Sequence, residues 1–323
     1  MSGKKVYITG VGGFTGTTPD SNNNFKILDE EYEPSISGRQ LRGVDRVSRL
    51  SIAAAVSATD KCNLKMDRNN DREYGLFYGT IYGALESVHE FDMVSVSTGA
   101  LSVNPSLFPS TVLNSPACQV GIQLAISGPI YTVCSGIMSS LDAVGLGYLY
   151  VHSQAVPAAV AGGAEVITEM QQLMHKGRSR QGEAGGFIVM ETEDTINDTS
   201  SIAAEILGYS TINIGASQTS HRIAELVVGM LEERDLTFGD IQKVYYGSYL
   251  DKSVDNELIG GLQDSLHIKD RLEQLETDWM GASGVIQIVT SLNKNKCEDG
   301  RINIFINIDD IKCSVIILKK IGG

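Results

Sequence analysis

The feature that most constrains the fold of this chain is a weak internal repeat of strand-like and helix-like segments. Short runs rich in Val and Ile, typical of strands buried on both faces, alternate with segments of helical periodicity. The segments recur in the same order in the second part, and the corresponding pairs are 6–10 with 202–209, 48–62 with 221–234, 74–79 with 244–248, 137–150 with 284–292, 156–161 with 302–306 and 186–191 with 313–319. The pattern predicts an α/β fold built from two duplicated halves of βαβαβ type.

The best candidate for a boundary between the halves is the polar stretch 194–201, DTINDTSS. Stretches of this composition usually form surface loops. We therefore expect an N-terminal half over residues 1–200 and a shortened C-terminal half over residues 201–323.

The segment 128–165 has the order of a corner that carries a nucleophile. A β-branched strand is followed by a turn of small residues, a helix, and a second buried strand that reaches the Gly-Gly pair at 162–163. Such a corner holds a side chain at the positive N-terminal end of a helix, where an anionic nucleophile is favoured.

Four short motifs carry a resemblance to a known family. They are the FPSTVLN run at 108–114, the Gly-Pro pair at 128–129, AGGAE at 161–165 and GEAGG at 182–186. On these motifs the chain resembles the β-ketoacyl synthases. The resemblance implies a thiolase-like fold, with the two halves packed in a layered α-β-α-β-α arrangement and the dimer interface carried by the N-terminal half.

The same resemblance implies that the nucleophile has been lost. Counted forward from the Gly-Pro pair or back from AGGAE, the family's catalytic Cys falls at Ile137. An aliphatic side chain cannot form the acyl thioester on which condensation depends. Cys134 lies on the predicted strand and would be the nucleophile only if the chain shifted its register there.

The other catalytic groups of the family are also missing on this alignment. Its first His falls at Tyr246 if the following Gly anchors the match, or at Gly247 by straight counting. Its second His falls at Asp278, its Lys at Glu273, and its Gly-rich loop at 308–311, which contains no Gly. The five His of the chain match none of these positions, since they stand at 89, 152, 175, 221 and 267.

A ketosynthase-like chain that keeps its interface motifs and loses its catalytic groups resembles a chain-length factor, the inactive partner in a type II polyketide or polyene system. The resemblance implies a heterodimer with an active ketosynthase, and a substrate carried on the phosphopantetheinyl arm of an acyl carrier protein. No cofactor or metal of its own is expected. The residues expected to shape the substrate tunnel and the interface are Leu107, Phe108, Thr111, Val112 and Pro116.

Two other functions remain open at the level of sequence. One is a divergent acyltransferase or condensing enzyme that uses Cys134, and the other is a homodimeric scaffold that binds acyl carrier protein without chemistry. The acidic charge of the chain disfavours the scaffold, because carrier proteins are themselves acidic. The glycines at 10–16 superficially match a dinucleotide-binding loop, but Thr15 replaces the third Gly and the following polar run cannot continue as the required helix.

Composition narrows the partners and the compartment. A net charge of −13 and a pI near 4.8 argue against binding to nucleic acid or to anionic membranes. No apolar run is long enough for a membrane helix, and the start of the chain is strand-like rather than signal-like. Five scattered Cys show no disulfide or metal spacing, which indicates a cytoplasmic protein.

Overall fold

The computed structural model describes residues 3–38, 41, 43–62, 64, 73–174, 180–196, 202–214, 219–293 and 300–321. The domain boundary expected at residues 200 and 201 lies outside the described residues, so the division into two domains stays a prediction. His175 also lies outside them. The strands are β1 (Val6–Thr15), β2 (Thr18–Pro19), β3 (Phe25–Lys26), β4 (Gly75–Gly79), β5 (Ile130–Val133), β6 (Ala158–Glu165), β7 (Ala184–Glu191), β8 (Ala204–Asn213), β9 (Ile241–Ser248), β10 (Leu272–Gln274), β11 (Ile302–Ile308) and β12 (Lys312–Lys320). The helices are α1 (Asp29–Tyr32), α2 (Arg46–Thr59), α3 (Leu85–Thr98), α4 (Ser115–Gln123), α5 (Ser139–His152), α6 (Glu169–Met174), α7 (Thr219–Glu232), α8 (Lys252–Ser265) and α9 (Ser283–Asn293).

A single large sheet joins strands from both ends of the chain. Its order is β10-β9-β11-β12-β8-β1-β7-β6-β4-β5. The arms β1-β7-β6-β4-β5 and β8-β12-β11-β9-β10 mirror one another, and the strands that the sequence paired occupy equivalent positions in the two arms. The arms meet where β1 and β8 pair antiparallel, from Val6 opposite Ile206 to Ile8 opposite Ala204.

Three hydrophobic cores lie between the large sheet and its helices. The central core contains residues of α5 and α9 together with strand residues of both arms. A second core lies under α2 and α4 on the outer face of the first arm, and a third lies under α7 and α8 on the outer face of the second. The expected thiolase-like α/β architecture is therefore confirmed.

Strand β1 continues through the glycine-rich run beyond residue 10, where the strand predicted from the sequence ends. It pairs antiparallel with β7 as far as Thr15 opposite Ala184. The glycines serve the approach of α2: a Cβ at Gly12 would lie 2.6 Å from the carbonyl oxygen of Ala54 and against the backbone nitrogen of Ala58. Helix α2 can sit this close to the strand only because these positions lack side chains.

The long helices begin at identifiable signals. Asp45 caps α2, and its carboxylate accepts a hydrogen bond from the backbone N–H of Ser48 at 2.8 Å. Helix α5 begins at Ser139, two residues later than the sequence predicts, because Gly136 (φ +60°) and Ile137 belong to the preceding turn. Among the described residues, no helix has the length and apolar character needed to cross a membrane.

Candidate functional site

The turn between β5 and α5 places Ile137 where the sequence alignment expects a nucleophile. The turn is closed by hydrogen bonds from Met138 N–H to the Ser135 carbonyl (3.2 Å) and from Ser139 N–H to the Gly136 carbonyl (3.1 Å). The side chain of Ile137 is only 2% exposed. The turn therefore holds a buried aliphatic side chain at this position, and its equivalence to the family's nucleophile stays a prediction.

Cys134 lies one residue beyond the end of β5 and is exposed. Its Sγ donates to the carbonyl oxygen of Ile81 at 3.7 Å. Partial burial, with a smaller contribution from the charge of Glu165, raises the pKa of the Cys134 thiol. These surroundings disfavour the thiolate, which is the reactive form of cysteine.

The two positions that the alignment offers for the first His, 246 and 247, are both packed tightly against neighbouring groups. Tyr246 is buried in the outer core of the second arm, and its hydroxyl donates to Asp255 Oδ1 at 2.6 Å. A Cβ at Gly247 would lie 2.7 Å from Asn307 Nδ2 and 3.3 Å from Gln287 Nε2. An imidazole does not fit at residue 247 without displacing these two buried amides.

Asp278 and Glu273 are also held by neighbouring groups. Asp278 Oδ1 accepts a hydrogen bond from the backbone N–H of Met280 at 2.8 Å, ahead of α9. The Glu273 carboxylate forms an ion pair with Lys243 at the edge of the sheet. The described histidines stand elsewhere, at 89 in α3, 152 at the end of α5, 221 at the start of α7 and 267 after α8.

The loop that corresponds to the family's Gly-rich segment is a tight hairpin between β11 and β12. Asp309 Oδ1 accepts hydrogen bonds from the backbone N–H groups of Ile311 (2.9 Å) and Lys312 (2.8 Å), which closes the turn. A Cβ at Gly136 would lie 3.5 Å from Asp309 Oδ2, so the hairpin sits against the turn that contains Ile137. The loop is therefore short, internally bonded and directly over the turn.

A buried carboxylate that sequence reasoning missed links this hairpin to α5. Asp142 Oδ2 accepts from Ser135 Oγ (2.6 Å) and Lys312 Nζ (2.6 Å), and Asp142 Oδ1 accepts from Tyr209 OH (2.9 Å) and Ser314 Oγ (2.6 Å). Burial first, and then Asp142, raise the pKa of Tyr209, so its hydroxyl stays protonated as a donor. We call these five residues the Asp142 cluster.

Glu165 is the last residue of the AGGAE motif, and its environment in the structure is unusual. Its carboxyl group is fully buried at the end of β6, where Oε1 accepts from Thr80 Oγ1 at 2.9 Å and from the backbone N–H of Ile81. Burial raises the pKa of Glu165 to about 8 despite these hydrogen bonds. The group is therefore largely protonated at neutral pH, which no sequence pattern indicated.

The segment from α3 to β5 exposes a large apolar surface, which we call the apolar face. Helix α3 has no buried residue, and β5 forms one end of the sheet. Of the predicted tunnel residues, Leu107 is 50% and Phe108 60% exposed, Val112 is exposed and Thr111 half-buried. Pro116 differs, because it is buried in the first turn of α4.

Comparison with known proteins assigns the family. The model of the β-ketoacyl synthase N-terminal domain matches residues 5–186, which is more than half of the chain. The chain belongs to the β-ketoacyl synthase family. The motifs at 108–114, 128–129 and 161–165 lie inside the matched region, as does the whole apolar face.

Curated members of the family are distant relatives. The 3-oxoacyl-[acyl-carrier-protein] synthase 2 of Staphylococcus aureus is 24% identical over 212 residues, which cover 58% of this chain and 51% of the relative. The enzyme of the same name from Vibrio cholerae is 24% identical over 167 residues, covering 50% and 40%. Nodulation protein E of Rhizobium meliloti is 24% identical, covering 50% and 47%. The chain thus spans about half or less of the length of these ketosynthase relatives.

Solved structures share the fold over nearly the whole chain. The complex AntDE:AntF, a type II polyketide synthase acyl-carrier protein with its ketosynthase, matches with a TM-score of 0.80 and 15% identity, covering 98% of this chain and 100% of that one. The ishigamide ketosynthase/chain length factor matches with a TM-score of 0.77 and 17% identity, with the same coverage. At these identities the likeness establishes the ketosynthase fold alone.

Proposed function

We propose that this chain is a non-catalytic ketosynthase-like subunit of chain-length-factor type. It pairs with an active ketosynthase and forms one wall of the cavity in which that partner elongates a polyketide or polyene on acyl carrier protein. The observation that carries the proposal is the buried Ile137 in the turn before α5, at the position that the family alignment gives to the nucleophile.

Further observations around the turn support the same proposal. The hairpin held by Asp309 lies against the turn, and the candidate His positions hold a buried Tyr246 or a Gly247 packed on amides. The ishigamide structure, which shares the fold, contains a chain length factor. The described cysteines are free thiols, in keeping with a cytoplasmic subunit.

The apolar face supports the pairing. Eleven of the seventeen large apolar side chains that are exposed among the described residues lie in this segment, and a concentration of this kind marks an interaction site. Strand β5 carries Ile130 and Tyr131, both exposed, and as the last strand of the sheet among the described residues it offers its free edge to a strand of another subunit.

Co-expression with a ketosynthase from the same genome tests the pairing directly. We expect a one-to-one complex in native mass spectrometry, with the thiol of Cys134 unmodified after incubation with an acyl thioester. A stable homodimer that ignores the ketosynthase contradicts the proposal. Acylation of Cys134, abolished by Cys134→Ala, would instead establish the acyltransferase alternative.

The tunnel residues give a second prediction. We expect Phe108→Ala in the reconstituted complex to shift the product to a longer chain, because a shorter side chain leaves room for another extension cycle before steric arrest. Leu173→Ala, an equally exposed apolar position in α6, serves as the control. An unchanged product distribution in the Phe108→Ala complex counts against a role in chain length.

A further inference from the structure

The apolar face carries a one-sided charge. Residues 73–174, which contain the whole face, include no Lys or Arg. Helix α3 presents three exposed acidic side chains, Glu86, Glu90 and Asp92. Protein surfaces usually intersperse both signs of charge, so a stretch of this length without a cation gives the face a field of a single sign.

We propose that these acidic side chains select the partner of the apolar face: they favour a subunit that presents basic residues there and disfavour a second copy of this chain. The proposal rests on the proposed function, in that the partner is a ketosynthase. It adds a physical reason why the chain forms a mixed pair and not a homodimer.

Within the part of the chain that the structure describes, Glu86, Glu90 and Asp92 form no ion pair with a basic side chain. Glu86 and Glu90 are one helical turn apart, where like charges repel. Partial burial, and next the charge of Glu90, raise the pKa of Glu86. Arg46 is near enough to act on Glu86, but its guanidinium is already bound to Asp29 at 3.0 Å and Glu183 at 2.6 Å.

The two-fold symmetry of a homodimer explains how the acidic charge of α3 affects the choice of partner. In a two-fold homodimer the same patch of both copies enters the interface, so two acidic faces would meet. Like charges brought together in this way suppress self-association and accelerate pairing with an oppositely charged surface. An anionic membrane is disfavoured as the occupant of the face for the same reason.

A charge-exchange experiment tests the proposal without the natural partner. The variant carries Glu86→Lys, Glu90→Lys and Asp92→Lys, and native mass spectrometry follows its mixture with mass-tagged wild type. We expect mixed dimers to bind at least tenfold more tightly than wild-type homodimers at about 50 mM salt, and the gain to vanish near 500 mM because salt screens exposed charges.

The matched control carries Glu232→Lys, Glu257→Lys and Asp270→Lys, exposed acidic positions of the second arm with the same change in net charge. A second variant, with Glu86→Gln, Glu90→Gln and Asp92→Asn, tests repulsion alone and is expected to raise self-association several-fold. Equal gains from the control variant, or tight wild-type homodimers that ignore both salt and charge, overturn the inference.

The two proposals fail in different ways. If the wild-type chain binds the ketosynthase but the α3 variants bind it with unchanged affinity and salt dependence, charge selection is refuted and the proposed function stands. If the wild-type chain binds no ketosynthase at any salt concentration, the proposed function itself fails.

Discussion

Glu165 ends β6 with its carboxyl group enclosed by Thr80 and Ile81. Its pKa of about 8 lies above the ordinary value of 4.5. Between these values the folded chain binds a proton more tightly than the unfolded chain does. The free energy of unfolding therefore falls as pH rises from 4.5 to 8, at up to about 1.4 kcal/mol per pH unit.

We expect Glu165→Gln to remove this loss, because an amide keeps the shape of the protonated carboxyl group and does not ionise. Urea unfolding at pH 5, 6, 7 and 8 measures the difference between variant and wild type, which should grow with pH in favour of the variant. Glu257→Gln, at an exposed position of α8, provides the control. Parallel pH profiles for wild type and Glu165→Gln would show that Glu165 ionises normally.

At the scale of elements, β1 and α2 depend on the absence of side chains where they touch. We expect Gly12→Ala to lower the free energy of unfolding by about 2 kcal/mol or more, because the added methyl group meets the backbone of α2. Gly229→Ala is the matched control in α7, where a Cβ meets nothing within 4 Å. That change should stabilise the chain by about 0.5–1 kcal/mol through helix propensity. Equal effects of the two variants in urea unfolding would contradict the close packing.

The Asp142 cluster joins α5 to β8 and β12. Asp142→Ala leaves Lys312 and three hydroxyl groups without their acceptor, and we expect a loss of about 3–5 kcal/mol. The control is Asp194→Ala, which breaks the exposed pair with Lys4 and should cost less than about 1 kcal/mol. Hydrogen exchange should rise in the 308–311 hairpin of the Asp142→Ala variant but not of the control. If the 308–311 hairpin exchanges as fast in wild type as in the variant, the Asp142 cluster does not stabilise it.

At the scale of the whole molecule, the central core contains residues from both arms of the sheet. Neither arm buries its inner face without the other, so we expect the chain to unfold in one transition. Trp279 packs against that core and reports on it by fluorescence, whereas far-ultraviolet circular dichroism follows all helices. The two signals should give one urea midpoint, and separated midpoints would indicate independent domains.

Sequence reasoning recovered the fold because periodicity is a local property. Each Val- and Ile-rich run and each helical segment can be predicted from its own residues. The repeat then indicated which strands of the two arms are equivalent. Sequence reasoning failed where the environment of a side chain is determined by residues that are distant in the chain. Asp142 sits in an apolar helix, and its acceptor role depends on Tyr209, Lys312 and Ser314, whose approach no local pattern encodes.

For the candidate site, the sequence suggested positions along the chain but not the environments of the side chains. The assignment of Ile137 to the nucleophile position stays a prediction, and the structure places this buried residue in the turn before α5. The protonation of Glu165 depends on its complete enclosure by other segments, so the AGGAE motif alone gave no hint of it. The continuation of β1 through Thr15 was missed because glycines that admit a helix look the same in sequence as glycines that make a turn.

The edge strand β5 also has a cost for the cell. If the chain pairs as proposed, copies made in excess of the partner would leave β5 uncovered as the last strand of the sheet among the described residues. With Ile130 and Tyr131 exposed on it, such a strand is a template for sheet extension and aggregation. Under the proposed pairing, balanced synthesis of the two subunits, or their assembly during translation, would prevent this aggregation. Surplus expression of this subunit alone should therefore accumulate insoluble protein, which matched expression of the ketosynthase clears.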